Sequence, residues 1–164
     1  MLPRGEHKSE MLEALARLTR FIGSRRLDVN LENDLNDIYG AQTKNYDELA
    51  RLLGHGISEG WACYSEISGP DYRRGRIADP SRETCGFSVE SGMMKDKVGN
   101  YHCHTTGEIN MVVPVDKTGQ FCGHGAGWKV FEAGSTHFPE ASGGKITTIF
   151  LLPNGEIEYK KPPE

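Results

Sequence analysis

Two short stretches carry the residues best suited to chemistry: His102, His104 and Glu108 within the run Gly99 to Glu108, and His137 at the end of Gly134-Ser-Thr-His137. In an extended strand successive side chains alternate faces, so His102 and His104 point one way and Cys103 the other. Glu108 shares the parity of the two histidines, and Thr105-Thr-Gly107 can bend the chain enough to return a carboxylate to the same point. His137 has to arrive from a different strand. Three neutral imidazoles and a carboxylate suit a divalent transition metal with one or two positions left open, an arrangement for chemistry rather than scaffolding. Fe, Mn, Zn and Ni all accept this set, so ligand type leaves the metal's identity open. The competing view is exposed histidines on a strand and an ordinary Gly-x-x-His turn. It accounts for a lone His-x-His better than for a glutamate of matching parity and a distant fourth ligand together.

Other polar residues are candidates of a second kind. His124, in Gly123-His-Gly125, is a candidate general acid or base, with solvent exposure as its alternative. Glu132 and Glu140 bracket His137 and offer a carboxylate base, again with exposure as the competing fate. Asn110 has the ligands' parity and is a candidate to orient a ligand or substrate. Trp61 and Trp128 are each large enough to wall a pocket or fill a core. Tyr101 and Cys103 have the opposite parity and are expected to face away from the metal. His7 and His55 are given no role. The basic cluster Arg73-Arg74-x-Arg76 reads as a solvated loop from which one arginine can reach a carboxylate in a pocket.

The elements that must position these residues change texture at Gly60. Before it, residues 1–8 are expected to fray. Ser9 is the expected N-cap of a helix carrying Met11, Leu15, Leu18 and Phe21-Ile22. Leu31, Leu35 and Ile38 suggest a second helix over 30–39, and Asn45 with Glu48 suggests the capped start of a third that ends at Gly54. After it, strand-like runs are expected at 61–67, 86–89, 98–104, 108–115, 120–122, 127–132, 145–152 and 156–159. Turns fall at Asp116–Gly119, read as a hairpin, and at Pro153-Asn-Gly155. The expectation is a mainly β protein: a β-sandwich or small barrel over 57–164, with an N-terminal helical region, 1–56, packed on it.

With 164 residues there is room for one substantial core, and 20 glycines suit many short strands joined by tight turns. The net charge of −4 and the absence of an aromatic-interleaved basic stripe argue against a nucleic-acid partner. No apolar run approaches ~18 residues and no basic-then-apolar leader precedes a cleavage site, so a cytoplasmic chain with no membrane partner is expected. Cys63, Cys85, Cys103 and Cys122 form no Cys-x-x-Cys pair and read as reduced thiols. A symmetric homodimer is the expected assembly.

The His102-x-His104-x-x-x-Glu108 and Gly134-x-x-His137 segments resemble the two metal-binding motifs of the cupin superfamily. Glu132 stands where proline is usual, Ala141 where asparagine is common, and Val115 at a glycine position. A resemblance covering most of the chain runs through Gly99 to Ile109, Phe121 and Gly123, Gly127-Trp-Lys-Val130, Gly134-Ser-Thr-His137, Gly143-Gly-Lys145 and Leu151 to Glu158. In these segments the chain resembles the 4-hydroxylaminobenzoate lyase family, small cupin-like proteins with a helical N-terminal part. The Phe138-Pro-Glu-Ala141 segment departs from the family's pattern. The resemblance implies a cupin-like β-barrel, or double-stranded β-helix, and conversion of 4-hydroxylaminobenzoate to 3,4-dihydroxybenzoate with release of ammonia. A divalent metal on His102, His104, Glu108 and His137 would act as Lewis acid and hydroxide source. Arg76 would anchor the carboxylate of this small aromatic substrate, and Trp61, Phe87 or Trp128 would wall its ring. The alternatives are a cupin-type dioxygenase on a small aromatic substrate and a non-catalytic module that binds a small ligand.

Overall fold

The computed structural model describes residues 5–164. Of the segment expected to fray, residues 1–4 lie outside the described residues. The remainder is already helical, because α1 (Glu6–Ile22) starts after Gly5, which takes the left-handed φ of 105° that glycine adopts freely. Ser9 is therefore inside the first turn, its N–H donating to the Gly5 carbonyl at 3.0 Å, and caps nothing. The α2 helix (Val29–Ile38) is capped by Asp28, whose carboxylate accepts from the N–H groups of Asn30 and Leu31. The α3 helix (Lys44–Glu59) is capped by the Thr43 hydroxyl, not by Asn45, whose side-chain amide donates to the Ile38 carbonyl instead. It also runs past Gly54. Its end is the left-handed Gly60, and Gly56 inside it is needed for packing: a Cβ there would lie 2.7 Å from the Trp61 ring.

Eleven strands follow among the described residues: β1 (Ser65–Glu66), β2 (Tyr72–Ala78), β3 (Phe87–Lys95), β4 (His102–His104), β5 (Glu108–Pro114), β6 (Gln120–Phe121), β7 (Gly127–Phe131), β8 (Ser135–His137), β9 (Ala141–Ser142), β10 (Lys145–Pro153) and β11 (Glu158–Tyr159). They form a large sheet in the order β1-β2-β3-β10-β5-β7, a small sheet β11-β4-β8 and a ribbon β6-β9. Every pairing is antiparallel. The arginine-rich segment expected as a loop is β2, and the strand expected over 61–67 shrinks to β1. The Asp116–Gly119 turn closes no hairpin, since β5 pairs with β10 and β7, and β6 pairs with β9. No helix among the described residues is long and apolar enough to cross a membrane.

Alternation sorts the large sheet into two buried faces, as its central strands require when both sides are covered. Val89, Ile109, Met111, Ile149 and Leu151 pack with Met11, Leu15, Leu18, Leu31, Leu49 and Leu52 of the helices in the principal core. Residues of the other parity, Met94, Val112 and Ile146, pack with Phe121 and Ala141 in a smaller cluster inside the barrel. The free edge at β7 is covered by α2. Asn36 exchanges two hydrogen bonds with the Trp128 backbone, and Glu32 accepts from the Val130 N–H. The helices thus hold one face and one edge of the sheet, leaving its inner face to build a site.

Candidate metal centre and cavity

Strands β4 and β8 pair so that His102 lies opposite His137, and β5 brings Glu108 in from the large sheet. The three Nε2 atoms form a triangle: 3.0 Å between His102 and His104, 2.9 Å between His104 and His137, and 2.9 Å between His137 and His102. Each Nε2 has one in-plane site, either a lone pair or a proton, so three mutual contacts cannot all be hydrogen bonds. A shared cation resolves the conflict: with metal–nitrogen bonds of about 2.1 Å, ligands at right angles are separated by roughly 3.0 Å. Burial holds all three imidazoles neutral, with His104 pushed down to about 3 and His137 to about 4, each further lowered by its neighbouring histidines, and His102 lowered in the same direction. Their lone pairs are therefore available to a metal.

Glu108 supplies the fourth donor. Its Oε2 lies 3.2 Å from His104 Nε2, is buried, and has no hydrogen-bond partner. Desolvation raises its carboxyl to about 8, against a smaller opposing effect of Arg74. With His104 neutral the pair is no ion pair, and a cation in the triangle is what would hold Glu108 ionised. The outer nitrogens of His102 and His137 help fix their rings, whereas His104 Nδ1 is buried without a partner. His102 Nδ1 contacts the Asn100 carbonyl at 2.9 Å, and His137 Nδ1 lies 3.6 Å from the Cys122 sulfur, itself 3.7 Å from the Phe138 carbonyl. His7, His55 and Glu59 also cluster, between α1 and α3, but the two rings stack in parallel 3.7 Å apart. Parallel imidazoles direct their lone pairs side by side, so this group ties two helices.

The triangle opens onto a cavity lined by residues of both sheets. His102, Glu108, Asn110 and His137 line its polar part; Ile67, Met94, Phe121, Phe150 and Ile157 its apolar part; Tyr72, Arg74, Asn100, Thr148 and Tyr159 complete it. Of the expected substrate-binding residues only Asn110 is here. Arg76, two residues beyond Arg74 along β2, is committed to Glu90 at 2.9 Å and Asp79 at 3.0 Å. Trp128 and Phe87 are buried in the helix-facing core, where Trp128 donates to the Tyr39 carbonyl, and Trp61 packs on α3. His124 and Glu132, the expected catalytic pair, are exposed and outside the cavity, and Glu140 is exposed as well. Tyr101 packs on Phe138. The cavity residues missed in the sequence, Tyr72, Arg74, Met94, Thr148 and Phe150, sit at alternate positions of β2, β3 and β10. Strand parity would have found them once β2 was recognised as a strand.

A barrel of antiparallel strands enclosing three convergent histidines and a glutamate has the make-up of a cupin. The chain matches an RmlC-like cupin protein from Ralstonia eutropha JMP134 at 20% identity and TM-score 0.46, covering 62% of this chain and 66% of that one. It matches a structure described as DMSP lyases RdDddP and RnDddQII at 17% identity and TM-score 0.49, covering 95% and 98%. Sequence comparison is more specific. The family profile described as 4-hydroxylaminobenzoate lyase (PnbB) matches residues 13–159. A 4-hydroxylaminobenzoate lyase of Pseudomonas putida is 37% identical over 153 residues, 84% of this chain and 87% of the relative. Another from Nocardioides sp. (strain LMS-CY) is 37% identical over 162 residues, 94% and 95%. The chain belongs to the 4-hydroxylaminobenzoate lyase family, and it is an enzyme, a lyase.

Proposed function

We propose that the chain is a metal-dependent lyase that converts 4-hydroxylaminobenzoate to 3,4-dihydroxybenzoate and ammonia. The observation that carries this reading is the triangle of neutral imidazoles with the unpartnered Glu108 Oε2, open to a cavity with apolar walls at Met94, Phe121 and Phe150. The reaction balances with one water consumed and no external oxidant: the N–O bond breaks, ring carbon 3 exchanges its hydrogen for a hydroxyl, carbon 4 exchanges its nitrogen for a second hydroxyl, and the nitrogen leaves as ammonia, the two oxygens matching in number those of the hydroxylamino group and the water. A divalent metal on His102, His104, Glu108 and His137 would supply Lewis acidity toward the hydroxylamino oxygen and a hydroxide at neutral pH. Around it, Phe150, Phe121 and Met94 hold the ring and exclude bulk water. Asn110, next to Glu108 on the same face of β5, orients the polar end of the substrate.

The test is anaerobic incubation of metal-loaded protein with 4-hydroxylaminobenzoate, following 3,4-dihydroxybenzoate and ammonia. Equal yields of both without oxygen support the lyase. Product only with oxygen uptake would make it a dioxygenase, and binding without product a non-catalytic module. Metal analysis of purified protein identifies the ion. The same reading includes a cytoplasmic location, supported by four unpaired cysteines. It also includes a homodimer, supported by exposed Val98 and Phe138 on segments joined by the Val98–Glu140 bridge.

A further inference from the structure

The guanidinium of Arg74 is the cavity feature that the metal chemistry leaves unused. Its neighbour Arg76 is saturated by Asp79 and Glu90, whereas the nearest carboxylate oxygen to Arg74 is Glu90 Oε1 at 4.0 Å, beyond hydrogen-bond distance. Its direct contacts are with uncharged groups, while Glu90 and Glu108 act on it only at longer range. Its NH1 donates to the Tyr159 hydroxyl at 2.8 Å, and its Cζ lies 5.1 Å from the centroid of the Phe150 ring. Several guanidinium N–H groups remain free, and the Tyr159 hydroxyl, accepting from Arg74, keeps its own proton to give. Together they present charged and neutral donors to the cavity, a combination suited to the two oxygens of a carboxylate.

Burial gives this feature a direction. His104 is 1% exposed at the imidazole end, whereas the Arg74 side chain is 23% and Tyr159 54% exposed. The cavity therefore runs from a buried centre that takes a nitrogen–oxygen group to a wetter mouth with free cationic donors. Gly92, the cross-strand partner of Arg74, leaves room beside it, since a Cβ there would lie 2.7 Å from Thr148 Oγ1.

We propose that Arg74 and Tyr159 form the clamp that binds the substrate's carboxylate, so that the enzyme selects para-substituted benzoates and presents the para nitrogen to the imidazoles. This deepens the lyase reading and rests on it for the identity of the para group. Tyr159 belongs to β11, which pairs with β4 opposite His102, so one short strand links the clamp to the metal-ligand strand.

The experiment is equilibrium binding of two unreactive probes, 4-aminobenzoate and its uncharged amide, to metal-loaded protein by calorimetry. Wild type is expected to favour the acid. Arg74→Gln should weaken the acid by about 10- to 100-fold, the span for a charged hydrogen-bonded contact, and leave the amide unchanged. Arg74→Lys should restore part of the loss, and Tyr159→Phe should cost the acid a smaller factor, with metal content unchanged in all three. Equal loss for acid and amide, no loss in Arg74→Gln, or no preference in wild type would overturn the clamp. Selective acid binding without turnover of 4-hydroxylaminobenzoate would defeat the lyase reading and leave the clamp standing. Turnover in Arg74→Gln at unchanged KM would do the reverse.

Discussion

At the scale of single residues, the centre is an arrangement that hydrogen bonding cannot satisfy. Three buried Nε2 atoms about one another and a carboxyl oxygen with no partner are costly unless a cation joins them. Replacing His104 by alanine is therefore expected to abolish stoichiometric metal and, with it, turnover; metal analysis beside a product assay checks both. Full activity in metal-free His104→Ala would refute the role. A subtler effect is expected at Cys122. A metal-bound His137 Nε2 requires the proton on Nδ1, which then donates to the Cys122 sulfur 3.6 Å away. Burial raises that thiol to about 11, so it stays protonated and free to donate onward to the Phe138 carbonyl. Cys122→Ala should lower metal affinity by about 10- to 100-fold, the usual cost of losing an outer partner, and Cys122→Ser should retain most of it. Competition with a chelator of known affinity measures both variants.

At the scale of elements, the convergence of the candidate ligands was legible because strand alternation is short-range. The shared face of residues 102 and 104 needs only an extended segment, whereas Glu108 returns to it through the turn at 105–107. The substrate wall was not legible for the same reason. Trp61, Phe87 and Trp128 have the size for a pocket, but which sheet face a side chain takes depends on what covers that face, and here the helices cover theirs. Arg76 was expected at the substrate, whereas Arg74 is the arginine that lines the cavity, because β2 read as a loop, where position along a strand has no meaning. The long helices were readable from their apolar spacing, whereas the end of α3 was not, since Gly56 serves the Trp61 ring rather than a stop. Helix-to-sheet ties carry testable weight. Asn36→Ala should cost about 1–3 kcal/mol by leaving the Trp128 backbone groups unpaired. Urea unfolding measures it. Tyr46 donates to the Val112 carbonyl from a buried position that raises its hydroxyl to about 12. The unfolded chain ionises near 10, so it binds fewer protons than the folded one between pH 10 and 12, and stability falls as pH rises through that window. Tyr46→Phe should flatten that slope, at a neutral-pH cost of about 1 kcal/mol.

At the scale of the molecule, the proposed metal ligands come from both sheets: His102, His104 and His137 from the small one and Glu108 from the large one. The large sheet is anchored by the helical core and has strands of up to nine residues. The small sheet consists of strands of two and three residues, and the cluster beneath it is Met94, Val112, Phe121, Ala141 and Ile146. With no disulfide joining the layers, the ion would be the main polar link between them. A ligand held only by the native state stabilises by about 2.7 kcal/mol at a concentration 100 times its dissociation constant. That contribution falls on the weaker layer, because opening β4 and β8 breaks three of four metal bonds while the helices and the large sheet stay packed. Stripping the metal is therefore expected to raise amide exchange in β4, β8 and β11 and to leave α1, α3 and β10 protected. Hydrogen exchange with and without chelator, followed by metal restoration, measures this. A uniform loss of protection across all segments would mean instead that the two layers open as one cooperative unit, with the centre part of the global fold.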